Sequence, residues 1–469
     1  MTLIPKRLLN SRFVRDAFTL QVAAGITSIG NFISTMALAF LLGAELQGLF
    51  YVAMAWYSLF YLLGNVGLTS VAVSQIAKGI GAGRPGEIAG WLAFLLKAST
   101  GLSVLMFGLA WFLLPPIAVY YGNDPEQARM LGEWAVLLCL LPIIEVPRVV
   151  ATAAFQGSRK MLYLAQLENA IEVGRVFLIL SLIIITGTAK GAIWGTLAAG
   201  VLGSGLAIAL YVRARKVSQV SGTDVVSAPL PSIREIFGAM GSVPLRKGLP
   251  MGIRVGFMRN LDALVLDSAP VLIMGMAGIG GPAGAAYFRI AQRLLRLPLM
   301  LLQGVSRTAV PAFSELAVLK DASRLRSLFY KASLGGGVLI SIGIGATVLA
   351  LPWIVGKFYP SDYAGPVTMF SYLLCAGFMS TAFSGVFESF YLATNKVHIA
   401  LRIGMVLALP MLACIYFGGI FFGPTGVALG LTIALSTGIA HHIYIYRYFT
   451  KSKPFAVTRP SADSGDARA

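Results

Sequence analysis

Charge is scarce in this sequence, and acid is scarcer than base. Only 12% of the 469 residues are charged, with 19 Asp and Glu against 37 Lys and Arg. That shortage excludes an ordinary soluble domain, because the polar surface is too small to cover a core. Cysteine is nearly absent. Cys139, Cys375 and Cys414 are scattered, with no CxxC spacing, so neither a disulfide framework nor a thiolate metal site is encoded. There are three histidines, and the His441-His442 pair stands too far from other ligand residues to make a metal centre. No GxxxxGK[ST] loop is present, which removes nucleotide-driven chemistry within this chain. No HExxH, no Ser/His/Asp arrangement and no convergent carboxylate pair appears. An enzyme is therefore not expected, and no cofactor or metal is called for.

What is abundant is apolar sequence. Hydrophobic residues make up 57% of the chain and the mean hydropathy is +0.79. Apolar runs long enough to cross a bilayer as helices recur along nearly the whole length. About twelve are expected, near 17–42, 48–69, 88–114, 131–154, 162–187, 190–212, 253–277, 285–312, 330–356, 366–394, 397–420 and 424–448. The first is too long for a signal-peptide core and reads as a retained span. The excess of 18 positive charges is not a nucleic-acid footprint but a loop signal. Basic residues crowd alternate loops (Lys6, Arg7, Arg12 and Arg15; Lys78 and Arg84; Arg159 and Lys160; Arg213 to Lys247; Lys320 to Lys331; Lys396; Lys451 and Lys453). The other loops hold little beyond Arg129, Lys190 and Lys357. That alternation predicts an even number of spans with both termini cytoplasmic.

The expected fold is an all-α polytopic membrane protein of two six-helix bundles. Residues 1–212 form the first bundle and 252–450 the second. A polar, Pro-containing cytoplasmic linker with a short surface helix covers 213–251, and 451–469 is a polar cytoplasmic tail. The halves echo each other in order. Gly48-Leu-Phe-Tyr51 matches Gly284-Ala-Ala-Tyr287, Phe155 to Lys160 matches Tyr391 to Lys396, and Gly191 to Tyr211 matches Gly423 to Tyr444. Halves of equal sense in the membrane imply a pseudo-two-fold along its normal. Such repeats enclose a central cavity and rock about it by alternating access.

One stretch departs from the apolar rule. In the expected eighth span, Arg289, Arg293, Arg296, Met300, Gln303 and Arg307 fall at steps of three and four, on one helical face. A cationic stripe is costly in lipid, so it should face protein or a watery cavity that attracts an anion. Counted from Ala285, Arg293 and Arg296 lie about 12–17 Å deep. Either they line the cavity, or they bridge to Asp262 or Asp267 for structure alone. Arg289 and Arg307 also admit interface readings, as do Arg254 and Arg259 at the start of the seventh span. Asp267 lies just before Pro270, where a break frees carbonyls, and it pairs with an arginine or binds a cation.

A second polar group sits in the first half. Glu168, Glu172 and Arg175 share a face of the fifth span, and Glu145 and Arg148 lie in the fourth beside Pro142 and Pro147. These carboxylates are either coupling groups for H⁺ or Na⁺ or members of ion pairs. Asn31 and Asn65 read as helix-joining polar groups. Tyr51, Trp56, Tyr57 and Tyr61 read as an interfacial belt, or as sugar-stacking rings.

Several segments resemble a known family. LLGAELQGLFYVAMAWYSLFYLLGNVGLTSVAVSQIAKG (41–79), Asp267 followed by GPAGAAYFRIAQRLLRLP and TAVPAFSELA, and the loops AFQGSRKMLYLAQLE and YLATNKVHIALRIG are similar to the polysaccharide exporters. These belong to the multidrug/oligosaccharidyl-lipid/polysaccharide (MOP) flippase superfamily. The resemblance implies twelve to fourteen helices around a central cavity, a prokaryotic inner membrane, and a lipid-linked oligosaccharide, commonly on undecaprenyl pyrophosphate, as cargo. Membrane lipids are expected partners, and polysaccharide polymerase or ligase machinery is a candidate partner that the sequence does not decide. On that reading Arg293, Arg296, Arg289 and Arg259 would bind the phosphates, and Glu168, Glu172, Glu145, Asp267 and Asp262 would serve coupling or ion pairing. The alternative within the superfamily is a cation-coupled multidrug or small-solute exporter.

Overall fold

A computed structural model describes residues 12–64, 67–81, 84, 86–158, 160–220, 230–243, 245–300, 313, 316, 322–394 and 396–451. The longer helices are α1 (Arg12–Gly64), α2 (Leu68–Gly81), α3 (Glu87–Ala118), α4 (Pro125–Leu138), α5 (Val146–Gly157), α6 (Met161–Thr186) and α7 (Lys190–Val220) in the first half. In the second half the helices that position the site are α8 (Leu245–Ala263), the short α9 (Ala269–Met274), α10 (Gly281–Arg296), α11 (Gly336–Phe358), α12 (Ser361–Ala382), α13 (Val397–Leu435) and α14 (Gly438–Lys451). The described residues form no strand.

The fold is all-helical and membrane-spanning in character. Eight helical stretches among the described residues have the length and hydropathy of a bilayer span. Two of them reverse direction internally. Gln47 Nε2 donates to the Thr35 carbonyl at 3.0 Å, although 12 residues of straight helix would hold them about 18 Å apart. The reversal is at Gly43, with φ 71° and ψ 174°, a region open almost only to glycine. Gly423 does the same in α13, at φ 61° and ψ −144°. Gly187 and Gly281, also at positive φ, turn the chain between α6 and α7 and before α10. The four positions correspond pairwise between the halves, Gly43 with Gly281 and Gly187 with Gly423, as the repeat requires.

The expected seventh and eighth spans are not continuous apolar helices. The seventh is interrupted by a π-helical turn, Leu264–Ser268, between α8 and α9. The expected helix over 285–312 stops at Arg296 and gives way to a turn over 297–299, where Pro298 cannot donate to the helix ladder. Its remainder lies outside the described residues. The fourth span is likewise broken near Cys139 and Glu145, beside Pro142 and Pro147.

The cores are arranged unequally along the bundle. At the end bearing Gly43 and Gly423, one continuous apolar cluster joins both halves, including Leu49, Trp134 and Ile193 with Phe288, Tyr363 and Leu431. At the opposite end there are two separate clusters. One holds Phe94, Phe155 and Tyr211 of the first half, the other Phe329, Phe390 and Ile445 of the second. The joined end is tight. A Cβ on Gly48 would overlap the Pro282 carbonyl, and Ala277 N–H donates to Tyr120 C=O at 3.0 Å. Among the described residues the halves are thus sealed at one end and parted at the other, and α8 crosses between them, packing on α2 and α3 as well as on α13. There Gly67 meets the backbone of Gly252 and Gly256, and Asn260 Nδ2 donates to Leu62 C=O at 2.7 Å.

Candidate functional site

The sealed end leads directly to the arginines. Pro282 occupies the first turn of α10, where its missing N–H costs nothing. From there Phe288, Ile290, Leu294 and Leu295 bury one face, and Arg289, Arg293 and Arg296 share the other. The last two lie in the final turn, where the helix dipole favours cations. α10 packs against α1 and α12, so this stripe faces protein and the space between the halves rather than lipid.

Asp267 meets the stripe from the π-helical turn. Its Oδ1 accepts from Arg289 Nη1 and pairs with Arg296 Nη1 at 3.1 Å. Asp267 is thus ion-paired with two arginines in this structure, and Arg289 is drawn inward to it. Pro270 has no N–H to offer the carbonyl four residues back, that of Leu266. Arg296 Nη2 donates to that freed oxygen at 3.4 Å.

Arg293 is held differently. Its Nη1 donates to Thr35 Oγ1 at 2.5 Å, and its guanidinium carbon lies 5.1 Å above the Tyr51 ring. Among the described side chains it has no carboxylate partner. Gln47 fixes this seat, donating from Nε2 to Tyr51 Oη at 3.0 Å and accepting at Oε1 from Tyr363 Oη at 2.9 Å. Arg289 and Arg293 separate two small cavities. One, about 200 Å³, is lined by Ser28, Asn31, Thr35, Arg296 and Tyr359 besides those two arginines. The other, about 80 Å³, is lined by Tyr51, Tyr57, Ser58 and Asp267 with the same two. Two buried polar atoms here have no partner among the described residues, the Tyr359 hydroxyl on the larger cavity and Gln292 Nε2 one turn from Arg289 and Arg296. A buried polar group without a partner is costly, and a polar ligand in the cavity would relieve the tyrosine.

The first-half carboxylates are ion-paired. Glu172 lies 2.6 Å from Arg175, and Glu145 lies 2.5 Å from Arg148. Arg175 also donates to Asn31 Oδ1 at 3.1 Å, a hydrogen bond that joins α6 to α1. Asn31 also lines the larger cavity with Arg293, so the two clusters meet at that cavity. Glu168 is on the same helix as Glu172 but exposed. Arg254, Arg259 and Asp262 lie on α8, with side chains outside the described set, and Gln303 and Arg307 lie outside the described residues. The aromatic belt is corrected: Tyr51 is 3% exposed and sits under Arg293, and Trp56 meets Tyr121 edge to face. Thr35, Gln47, Gln292, Tyr359 and Tyr363 were not singled out from sequence. A glutamine within an apolar span was the available signal for Gln47.

The family model for polysaccharide biosynthesis proteins matches residues 13–317. Among curated proteins, none matches this sequence. In three dimensions the chain is similar to an inward-facing multidrug resistance MATE family transporter of the MOP superfamily. The TM-score is 0.68 at 18% identity, covering 92% of this chain and 96% of that one. The TM-score is 0.64 with the eukaryotic MATE transporter AtDTX14, at 17% identity over 92% and 96% of the two chains. It is 0.57 with an outward-facing MATE family transporter of the MOP superfamily, at 17% identity over 93% and 95%. These likenesses are of fold.

Proposed function

This chain belongs to the polysaccharide biosynthesis protein family, among the membrane transporters of the MOP superfamily, and we propose that it flips a lipid-linked oligosaccharide across a prokaryotic inner membrane. The carrier is a polyprenyl pyrophosphate or a close relative. Sugar hydroxyls and phosphates cannot cross about 30 Å of hydrocarbon without replacing their water. The transporter must therefore offer fixed positive charge to the phosphates and polar groups to the sugars. The observation that carries this reading is Arg293. It is a half-buried guanidinium without a carboxylate, at a cavity wall beside the Thr35 hydroxyl and the unpartnered Tyr359 hydroxyl. Its planar donor fork suits a phosphate.

The sealed and parted ends support alternating access, with 1–212 and 252–450 as the rocking bundles and both termini cytoplasmic. The parted end is then the one that receives cargo from the cytoplasm. Glu172, Glu145 and Glu168 are the candidates for H⁺ or Na⁺ coupling, and the polymerase or ligase of the glycan is the expected partner. The second reading, a cation-coupled multidrug exporter, is favoured by the names of the similar MATE structures. It is disfavoured by the arginines, which repel the cationic solutes such a cavity would take.

The test is glycan export by cells carrying Arg293→Ala and Arg293→Ala/Arg296→Ala, with membrane levels of protein checked. Lipid-linked glycan should accumulate on the cytoplasmic face. Export at the wild-type rate with both arginines gone would sink the reading.

A further inference from the structure

Asp267 occupies the place a substrate phosphate would need. Its carboxylate takes Nη1 of both Arg289 and Arg296, the two groups that flank Arg293 on the stripe. A carboxylate and a phosphate oxygen ask for the same planar N–H donors. The resident acid and an incoming diphosphate therefore compete for two of the three arginines, and only Arg293 is open from the start.

The position of Asp267 in the chain gives that competition a mechanical consequence. It sits within the π-helical turn Leu264–Ser268, three residues before Pro270. A π-turn and a proline are the usual causes of a bend in a helix. The two sides of this bend have different neighbours. α9 packs on α13, α10 and α1 near the sealed end, whereas α8 leans on α2 and α3 of the first half at the parted end. Gly248 is pressed against the Phe94 ring, and Gly67 against the backbone of α8. The Asp267 carboxylate, together with the Arg296 bond to the freed Leu266 carbonyl, is what ties the bend to the stripe.

We propose that Asp267 is an internal stand-in for the cargo phosphate, and that a diphosphate displaces it from Arg289 and Arg296 and so frees the bend of the seventh span to move α8. Asp267 is a positioning residue on this view, not a contact to cargo. The proposal rests on the reading of the arginine cavity as a phosphate site. It adds that an empty cavity is held in one conformation by an acid which only an anionic ligand can replace.

The experiment uses full-length protein in phosphatidylcholine nanodiscs, with inorganic pyrophosphate as the probe. Binding is measured by calorimetry for wild type, Asp267→Asn and the charge-balanced pair Asp267→Asn/Arg296→Gln. In parallel, spin labels are placed at Ile253→Cys on α8 and Leu339→Cys on α11, both exposed positions. Cys139, Cys375 and Cys414 are replaced by alanine in that protein. Asp267→Asn should bind pyrophosphate at least tenfold more tightly than wild type, because the competitor is gone. The label distance in wild type should change on adding pyrophosphate, toward the value of ligand-free Asp267→Asn. If removing the carboxylate shared by Arg289 and Arg296 prevents folding, Asp267→Asn/Arg296→Gln keeps the conformational comparison and should show the same label distance without ligand. Equal binding by wild type and folded Asp267→Asn, or a wild-type distance that ignores bound pyrophosphate, overturns the stand-in role alone. No pyrophosphate binding by any of the proteins overturns the phosphate site itself, and the stand-in with it.

Discussion

The three arginines of α10 should not contribute equally, and their order follows from Asp267. A hydrogen bond to a charged group contributes about 1.5–3 kcal/mol net, and tenfold in affinity is about 1.4 kcal/mol. Arg293 has no carboxylate to give up, so its contact with a phosphate is nearly all gain. Arg293→Ala should weaken binding of a diphosphate by about 10- to 150-fold on those figures. Arg289 and Arg296 must each trade one anionic partner for another. Alanine at either one leaves Asp267 paired with the other, and the loss in binding should stay below about tenfold. Arg293→Lys keeps the charge but loses the fork, and should fall between wild type and alanine. The assay is calorimetric titration of the purified proteins with pyrophosphate, followed by glycan export in cells at matched membrane levels. Equal losses for the three alanine variants, or a larger loss for Arg296→Ala than for Arg293→Ala, would refute the assignment of Arg293 as the open cation.

Other features make separate predictions. Glu172→Gln leaves Arg175 without its carboxylate in a largely buried pair and should lower thermal stability by about 3–5 kcal/mol. Glu172→Gln/Arg175→Gln should regain most of that loss in the same melting experiment. If Glu172 also couples transport, export by the single variant should no longer respond to an imposed H⁺ or Na⁺ gradient. A Cβ at Gly48 meets the Pro282 backbone, so Gly48→Ala should spring the sealed end. A cysteine placed at Ala283 should then react faster with an impermeant maleimide applied to that end than it does in the wild-type background. Gly43→Ala forces a side chain into glycine-only backbone space and should cost about 1–3 kcal/mol, read as a lowered melting temperature.

The architecture was legible because lipid imposes a simple rule: long apolar runs with basic residues in alternate loops. The repeat was legible from echoes at the span ends, such as Gly48 to Tyr51 with Gly284 to Tyr287, whereas the positive-φ turns that pair Gly43 with Gly281 and Gly187 with Gly423 come from the structure. The stripe of Arg289, Arg293 and Arg296 was legible from helical spacing. What spacing could not supply was the partner of each arginine. Asp267 lies 22 residues from Arg289, and its approach depends on the π-turn, which has no composition signature beyond the nearby Pro270. Arg293 depends on Thr35, 258 residues away, and on a glutamine that holds Tyr51 in place. The rings of the second span looked like an interfacial belt because sequence gives their depth but not which side of the helix meets the other half.

The fold by itself does not choose between cargoes. A MATE-like bundle with two halves and a gap between them serves either a flippase or a drug exporter, and likeness at 18% identity carries no more than shape. The proposed cargo rests instead on what stands in the gap. Three arginines with one aspartate leave the α10 cluster formally cationic, and Arg175 of the first half holds Asn31 on the wall of the same cavity. Those charges are half-buried, where water screens them less than at a surface, so an organic cation entering there would meet net repulsion. An anion would meet donors already in place, and the cost of holding like charges together would fall on its arrival. The cluster is therefore least comfortable when empty, which is the state that Asp267 relieves. A cavity of this kind gains most from a ligand carrying more than one negative charge on a compact group, and a lipid diphosphate is such a ligand.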